Sequence, residues 1–409
     1  MIQEFVNKNF FLLLLFTLIF GVMFYDTIGF NFTDEICALL LLVLYFYHVF
    51  NTKDWEFNKF FLVVLGIFLF YLFYSFIVGN NVKSAIVMDF IIQIKPYLGF
   101  FCVYSMMPQL DKKQKKIIQQ FAVIFSIYLF CIGIIGIAFP NIYVAVLGHP
   151  SRFATAISIL ALLYLYCSDY TKRDIFCFLL ILSIGLFSGR SKFYGFFAAC
   201  TFITLYVNDS FQMKLNLKNT FFLLIGLAAV LFVAKDKIYF YFIQGGFGYE
   251  RETADLYARV ALYYFSIPII MDYFPFGPGF ATYATYSSGE YYSPIYSKYG
   301  MEGMHGLTQS DPSFIADTYY PALAQFGIVG IILFFSFWIH LLKKAIQAFL
   351  EGHKKESIIA LLIIIFFLIE STTDATITHN RGVFMMMLLG LIFADIKHKK
   401  INAAYSSNS

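Results

Sequence analysis

The sequence predicts an all-α, polytopic integral membrane protein with about twelve transmembrane helices and one large loop that contains short helices. Composition and pattern both indicate this class. Of the 409 residues, 60% are hydrophobic and only 13% are charged, whereas about 25% of the residues in a soluble domain are charged. The mean hydropathy is +0.73. Because so few polar side chains cannot cover a water-facing surface, the composition excludes a cytosolic enzyme, a nucleic-acid-binding protein and a disordered scaffold.

Twelve apolar runs approach or reach the length needed to cross a hydrocarbon core of about 30 Å. They lie at residues 9–25, 35–50, 59–78, 84–107, 117–139, 153–168, 174–188, 190–207, 218–234, 321–342, 356–372 and 382–396. The chain therefore divides into spans one to nine (1–234), the large loop (235–320), and the last three spans with a tail (321–409). The seventh and eighth runs almost touch at 188–191, so these two runs could instead form one re-entrant element.

The lysines predict how the chain is oriented in the membrane. They concentrate in alternate connections, at 53–59, 112–116, 172–173, 214–218, 343–355 and 397–400. Short connections rich in Lys and Arg stay on the cytoplasmic side. We therefore expect both termini inside the cell and the large loop outside it.

The cysteines and the N-terminus indicate no processing and no cofactor. The six cysteines lie in or at the ends of apolar runs without CxxC spacing, which indicates neither a disulfide framework nor a zinc site. No nucleotide-binding loop is recognisable either, so we expect no metal and no other cofactor. No small-residue cleavage pattern follows the first apolar run, and we expect it to be an uncleaved helix.

The arginines do not follow the lysines. Of the six, only Arg173 falls on the predicted cytoplasmic side, and five fall on the opposite side: Arg152, Arg190, Arg251, Arg259 and Arg381. Arginine carries a planar, permanently charged fork that binds phosphate or carboxylate through two hydrogen bonds. Five such residues on one side favour an anionic substrate there. The alternative for any one of them is an ion pair with an acid of the loop, or a contact with lipid headgroups.

Lys95 is a cation within the fourth predicted span, directly before Pro96. A charged side chain at that depth is expected to face a polar cavity or a partner rather than lipid. The sequence leaves two alternatives of equal weight. Lys95 either forms a structural ion pair, with Asp89 or with a carboxylate of another helix, or it contacts a ligand.

The large loop carries candidates for sugar binding and for proton transfer. It holds 15 of the 30 tyrosines, and tyrosine combines a stacking face with a hydroxyl that can bond sugar hydroxyls. The alternative is an aromatic belt at the membrane surface. A helical run at 257–272 is predicted to end at a Pro-Gly turn. The candidate sugar-binding residues are Tyr291, Tyr292, Tyr319 and Tyr320, and the candidates for proton transfer are His305, Asp311 and Asp317.

Four local patterns resemble those of the O-antigen polymerase and O-antigen ligase superfamily, in the family's order. Two of them precede the large loop: the turn at 148–153 (Gly-His-Pro-Ser-Arg-Phe), and 186–192 (Leu-Phe-Ser-Gly-Arg-Ser-Lys), which is similar to the family's SGSR junction. Arg259 with the turn at 275–280 (Pro-Phe-Gly-Pro-Gly-Phe) resembles the start of the family's large periplasmic loop, and 324–330 (Ala-Gln-Phe-Gly-Ile-Val-Gly) resembles the start of its next helix.

This resemblance implies a glycosyltransferase of the bacterial inner membrane that uses a glycan linked to polyprenyl diphosphate on the periplasmic face. Arg190 and Arg259 match the family's diphosphate-binding arginines; Arg152, Arg251, Arg381 and Lys95 are the further candidates. In the ligase branch a histidine lies about eleven residues before the Gly-x-x-Gly, but here Ala316 and Asp317 stand at that point. This departure favours the polymerase. Asp317, Asp311 and His305 are then candidate bases in that order, and the alternative role of Asp317 is to cap the next helix.

The predicted function is therefore polymerisation of lipid-linked oligosaccharide repeats into an O-antigen or a similar surface polysaccharide. The implied partners are the lipid-linked donor and acceptor, membrane lipid and a chain-length regulator protein, with no nucleic acid. An O-antigen ligase that transfers glycan to lipid A-core is the alternative within the family. A flippase or another transporter is the alternative from a different class, although transporters place their polar residues near the membrane midplane, whereas here the unusual residues gather on one side.

Overall fold

The structure is a computed structural model that describes residues 2–29, 32–52, 58–207 and 251–407; within the last range, the side chains of 258–403 are described. Every regular element in these ranges is helical. The predicted ninth span (218–234) lies outside the described residues. Seven helices are long and apolar enough to cross a membrane: Ile2–Met23, Thr33–Thr52, Lys59–Val78, Lys83–Met106, Lys112–Ala138, Pro150–Cys167 and Tyr319–Leu350. The chain is thus an α-helical membrane protein.

The helices follow one another with short connections before the large loop. They are α1 (Ile2–Phe16, extended by a π-helical segment, Thr17–Met23), α2 (Tyr25–Ile28), α3 (Thr33–Thr52), α4 (Lys59–Val78), α5 (Lys83–Met106), α6 (Lys112–Ala138), α7 (Asn141–Leu147), α8 (Pro150–Cys167), α9 (Lys172–Ser183, followed by a 3-10 turn, Ile184–Ser188) and α10 (Ser191–Tyr206).

From residue 251 onward, the described part of the chain contains seven more helices. These are α11 (Arg251–Asp272), α12 (Tyr286–Glu290), α13 (Pro294–Lys298), α14 (Tyr319–Ala322, followed by a 3-10 turn, Leu323–Phe326), α15 (Gly327–Leu350), α16 (Lys354–Glu370) and α17 (Asn380–Ser407). The predicted helix at 257–272 begins earlier, at Arg251, and ends at Asp272 as predicted. The predicted spans at 356–372 and 382–396 overlap α16 and α17, which are helical but are not among the seven candidate membrane spans of the described residues.

The interior of the bundle is formed by α5, α8, α16 and α17. In α8, every residue from Phe153 to Tyr166 is buried, and α17 is buried from Val383 to Leu391 without interruption. The helices α4 and α6 lie at the periphery, where Ile77 is 84% exposed and Ile137 is 69% exposed. Apolar side chains with that exposure are suited to contact lipid.

The predicted seventh and eighth spans form two short helices, α9 and α10, and neither is among the seven candidate membrane spans of the described residues. The first, α9, has 12 residues, which is about 18 Å at 1.5 Å per residue and shorter than a hydrocarbon core. Gly189 follows the 3-10 turn in the left-handed conformation, with a φ of 65°, and α10 starts two residues later. Arg190 therefore lies in the reversal between the two helices.

The large loop is fixed to the ends of α4 and α5 by side chains that bond its backbone. Ser75 Oγ accepts a hydrogen bond from the Phe280 amide at 2.8 Å, and Asp89 Oδ2 accepts one from the Ala281 amide at 2.8 Å. The Tyr74 hydroxyl donates to the carbonyl of Gly277 at 2.9 Å. These bonds satisfy buried polar groups on both partners, so they determine how the loop sits on the helices.

Two glycines bring the turn at 275–280 against the start of α15. Gly277 has a φ of 75°, and a Cβ on it would lie 2.4 Å from the Gly327 nitrogen. Gly327 has a φ of 60°, and its Cβ would lie 2.3 Å from the Pro275 carbonyl oxygen. The Gly279 amide also donates to the Gln325 carbonyl at 2.8 Å. The turn at 275–280 and the segment at 324–330, which are far apart in the sequence, therefore pack directly against each other.

The opposite end of the bundle carries many of the lysines. Lys399 pairs with Glu356 at 2.7 Å, Lys115 lies 4.0 Å from Asp395, and Lys355 donates to the Ser168 carbonyl. The connections after α5, α8 and α15 and the end of α17 thus share one end, and the large loop lies at the other.

Candidate functional site

The loop end holds a group of ten ionisable side chains, which we call the charged cluster. Its members come from seven different segments, because helix ends and short reversals meet there. They are Asp26, His149, Arg152, Arg190, Lys192, Arg259, Asp317, Glu370, Asp374 and Arg381.

Arg190 is the cation of the charged cluster with the least compensation. Its Nη2 lies 2.9 Å from His149 Nε2. Burial, and then the cation of Arg190, lower the pKa of His149 to about 4, so this histidine is neutral at pH 7 and accepts the hydrogen bond. No carboxylate of the described chain lies within ion-pair distance of Arg190, and burial together with Arg259 lowers the pKa of the guanidinium. A half-buried guanidinium without an ion pair has hydrogen-bond donors left over that suit an anion.

Arg259 and Asp317 form an ion pair between α11 and the segment before α14. The carboxylate Oδ2 of Asp317 contacts both Nε and Nη2 of Arg259. Burial raises the pKa of Asp317 to about 6, although Arg259 acts in the opposite direction. The alternative role of Asp317 as a helix cap is not observed, because Thr318 occupies the N-cap position of α14.

Lys192 pairs with two carboxylates that the sequence did not indicate. Its Nζ lies 2.7 Å from Glu370 at the end of α16, and 3.0 Å from Asp374 just beyond it. Lys192 is the last residue of the pattern that contains Arg190, so the reversal between α9 and α10 carries one paired cation and one unpaired cation. The ion pair of Lys192 ties the start of α10, two residues after Arg190, to the end of α16.

Asp26 holds two of the remaining arginines. Its Oδ2 accepts from Arg381 Nη2 at 2.9 Å, and its Oδ1 contacts Arg152 Nη1. Both are therefore engaged by a protein carboxylate, in contrast to Arg190. The side chain of Arg251 lies outside the described residues.

The five cations of the charged cluster face four carboxylates, so with a neutral His149 the formal charge is +1. Among the described parts of the chain, no group of three or more His, Cys, Asp or Glu side chains could hold a metal ion. The chemistry available at this place is thus anion binding by guanidinium groups beside a carboxylate whose pKa is close to neutral.

Lys95 forms an ion pair with another helix rather than with Asp89. It contacts Asp34 and Glu35 in the first turn of α3, and only 5% of its side chain is exposed. Asp89 instead accepts the backbone bond from Ala281. Of the predicted alternatives for Lys95, a pair with carboxylates of another helix is the one observed.

His305 and Asp311 lie apart from the arginines. The two side chains approach each other at 3.5 Å and are 55% and 44% exposed. Hydrogen bonds from Ser313 lower the pKa of Asp311, and His305 has a smaller effect in the same direction. Neither residue forms an ion pair with the charged cluster in the described ranges. The structure therefore brings Asp317 to the arginines, and not His305 or Asp311.

The four candidate tyrosines occupy different environments. Tyr292 donates to the Leu307 carbonyl at 3.0 Å and Tyr320 donates to the Leu368 carbonyl at 2.8 Å, so both hydroxyls have structural partners. Tyr319 is buried and its hydroxyl donates to Gln93 at 3.1 Å. Tyr291 is 40% exposed at the surface of the loop.

Several members of the charged cluster were not singled out from the sequence. Asp26, Glu370 and Asp374 are acidic residues at the ends of apolar runs. That position is the feature of the sequence that could have identified them as candidate site residues. His149 and Lys192 stood within the patterns used for the family resemblance, but no role was assigned to them.

No protein-family model matches the chain, and no curated protein matches it in sequence. The class of protein is therefore defined by the fold and by the charged cluster. It is an α-helical membrane protein with a partly buried, arginine-rich charged cluster at the end that carries its large loop.

Proposed function

We propose that the protein is a glycosyltransferase that polymerises oligosaccharide repeats linked to polyprenyl diphosphate into a surface polysaccharide such as an O-antigen. The observation that carries this proposal is Arg190, a half-buried guanidinium without a carboxylate partner, beside Arg259. A diphosphate offers the oxygens that such a pair can bind, and arginine binds phosphate through two parallel hydrogen bonds.

The reaction needs charge stabilisation more than a general acid. The oxygen of the acceptor hydroxyl attacks the anomeric carbon of the donor sugar, a new C–O bond forms, and the C–O bond to the diphosphate breaks. The released polyprenyl diphosphate keeps the electron pair, and Arg190 and Arg259 stabilise its negative charge. The proton of the hydroxyl moves to a base.

Asp317 is the proposed base. Its pKa of about 6 leaves it mostly ionised at pH 7 and still basic enough to accept a proton. Its ion pair with Arg259 places the base within the anion site, while His305 and Asp311 lie elsewhere. When the diphosphate binds Arg259, the ion pair between Arg259 and Asp317 breaks, and the carboxylate of Asp317 is free to face the acceptor.

The proposal includes the arrangement in the membrane. Twelve spans would place both termini in the cytoplasm and the large loop in the periplasm of a bacterial inner membrane, where lipid-linked donor and acceptor are present and nucleotide sugars are not. A chain-length regulator protein is a proposed partner. The lysine-rich end of the bundle, opposite the loop, supports this orientation.

The surface-polysaccharide ladder of a deletion strain tests the function. We expect core with a single repeat attached, and recovery of the ladder on expression of the wild-type protein but not of Arg190→Ala. Core without any repeat would instead identify a ligase. Loss of the lipid-linked intermediate from the outer leaflet would identify a transporter.

A further inference from the structure

His149 lies between two hydrogen-bond donors. It occupies the N-cap position of α8, where its Nδ1 lies 3.2 Å from the backbone nitrogen of Ser151. Its Nε2 lies 2.9 Å from Nη2 of Arg190. A backbone N–H and a guanidinium can only donate. The imidazole of His149 would therefore have to accept a hydrogen bond at each of its two nitrogens.

No protonation state of histidine meets that demand. A neutral imidazole carries one proton and accepts at one nitrogen, and the protonated ring donates at both. When Nε2 accepts from Arg190, the ring proton lies on Nδ1 and points at the N–H of Ser151. One of the two contacts thus always places a donor against a donor, and a donor left without an acceptor costs free energy.

An anion beside Arg190 removes this conflict. An anionic oxygen accepts from the guanidinium, and it accepts from Nε2 as well when the ring proton lies there. Nδ1 is then unprotonated and accepts from Ser151, which caps α8. Asp374, whose charge also acts on the ring, bonds Lys192 instead. His149 and Arg190 are both partly exposed, so an anion can reach them.

We propose that His149 is a second binding residue for the diphosphate, and that binding moves the ring proton from Nδ1 to Nε2, which donates to a phosphate oxygen shared with Arg190. The hydrogen bond at one ring nitrogen determines which nitrogen carries the proton. The proton moves by exchange with water, so the charge of the ring does not change. This inference rests on the proposed function, because that function supplies the diphosphate at Arg190.

Solid-state NMR of the full-length protein with ¹⁵N-labelled histidine, in phosphatidylcholine nanodiscs, distinguishes the two tautomers. The signal of His149 is assigned by its loss in His149→Asn, and the probe is inorganic pyrophosphate. We expect the proton on Nδ1 without pyrophosphate and on Nε2 in saturating pyrophosphate. In Arg190→Ala we expect it on Nε2 without pyrophosphate, because Ser151 is then the donor that remains. The same tautomer with and without pyrophosphate in the wild type would overturn the inference, as would a wild-type protein that binds no pyrophosphate.

Two substitutions separate the roles of the two ring nitrogens. Asparagine places an acceptor near the position of Nδ1 and caps helices well, whereas glutamine places an amide donor near the position of Nε2. We expect His149→Asn to keep the wild-type melting temperature and to bind pyrophosphate about tenfold more weakly. We expect His149→Gln to bind more tightly than His149→Asn and to melt at a lower temperature.

His353→Asn is the matched control. His353 is the N-cap residue of α16, at the lysine-rich end of the bundle, and its side chain makes no capping hydrogen bond. This variant is expected to bind pyrophosphate as the wild type does. Wild-type affinity in His149→Asn would remove His149 from the site.

Failure of this inference is distinguishable from failure of the proposed function. If pyrophosphate moves the ring proton but the wild-type protein polymerises no lipid-linked repeats, the proposed function falls and the role of His149 in phosphate binding stands. If the wild type and His149→Asn polymerise at the same rate, the function stands and the inference falls. If phosphatidylglycerol added to the nanodiscs moves the proton and pyrophosphate does not, the anion is a lipid headgroup and the assignment to the donor is overturned.

Discussion

Arg259 and Asp317, which are 58 residues apart in the chain, form an ion pair at the loop end of the protein. The residue proposed to bind the diphosphate and the residue proposed to accept the proton are therefore partners before substrate arrives. Because the carboxylate and a phosphate oxygen would compete for the same guanidinium, the proposed function implies that binding of the donor and exposure of the base are coupled.

Asp317→Asn is expected to lower the rate of polymerisation by about 10² to 10⁴, because asparagine keeps the size of the side chain and loses its basicity. Donor binding is expected to stay nearly intact. The assay uses purified protein with lipid-linked repeats. His305→Ala and Asp311→Asn are the comparison variants and are expected to retain most of the activity. Normal turnover by Asp317→Asn would remove Asp317 from the role of base.

The activity of the wild-type protein is expected to fall as the pH is lowered through about 6. Burial raises the pKa of Asp317 to about 6, and the protonated carboxyl group below this pH cannot accept a proton. The same acid limb is expected to be missing from the residual activity of Asp317→Asn. A pH–rate profile that is flat between pH 5 and 7.5 for the wild type would contradict the assignment.

Arg259→Ala is expected to raise the pKa of Asp317 further, because Arg259 is the main group that opposes the effect of burial. Infrared spectra of protein with labelled aspartate would show the protonated carboxyl persisting to higher pH than in the wild type. Arg259→Lys keeps the positive charge and is expected to shift the titration less. An unchanged titration in Arg259→Ala would mean that the ion pair does not form in the membrane.

Gly277→Ala is expected to destabilise the docked loop by about 3 kcal/mol, from the left-handed backbone and from the overlap with the nitrogen of Gly327. Gly300→Ala is the matched control, because its φ is 70° and no atom lies within 4 Å of the added Cβ. The control is expected to cost about 1–2 kcal/mol, from backbone strain alone. Equal melting temperatures for the two variants would contradict the close approach of Gly277 to Gly327.

Single cysteines at Lys113 and Tyr291 are expected to be labelled from opposite sides of the membrane, in a background without the native cysteines. The lysine distribution predicts that position 113 is cytoplasmic and that position 291 is outside. Labelling of position 291 only from the cytoplasmic side would place the charged cluster and the proposed lipid-linked substrate on opposite sides of the membrane, which would contradict the proposed function.

The positions of most apolar helices followed from the sequence, because the length of an apolar run is a local property. The partners in the charged cluster did not, since Arg381 and Asp26 are 355 residues apart. Hydropathy indicates where a helix ends but not which helix ends meet. Lys95 shows this limit of sequence-based prediction. Its position within a span indicated that it needs a partner, but no local feature of the sequence distinguished Asp34 and Glu35 from Asp89.

Polymerisation by purified Arg190→Ala in nanodiscs, supplied with lipid-linked repeats, tests the central claim most directly. Loss of an unpaired guanidinium that binds phosphate costs about 2–5 kcal/mol, so we expect at least a roughly 30-fold lower rate, partial recovery in Arg190→Lys, and wild-type activity in the control Arg173→Ala. Wild-type activity in Arg190→Ala would contradict a diphosphate site at Arg190.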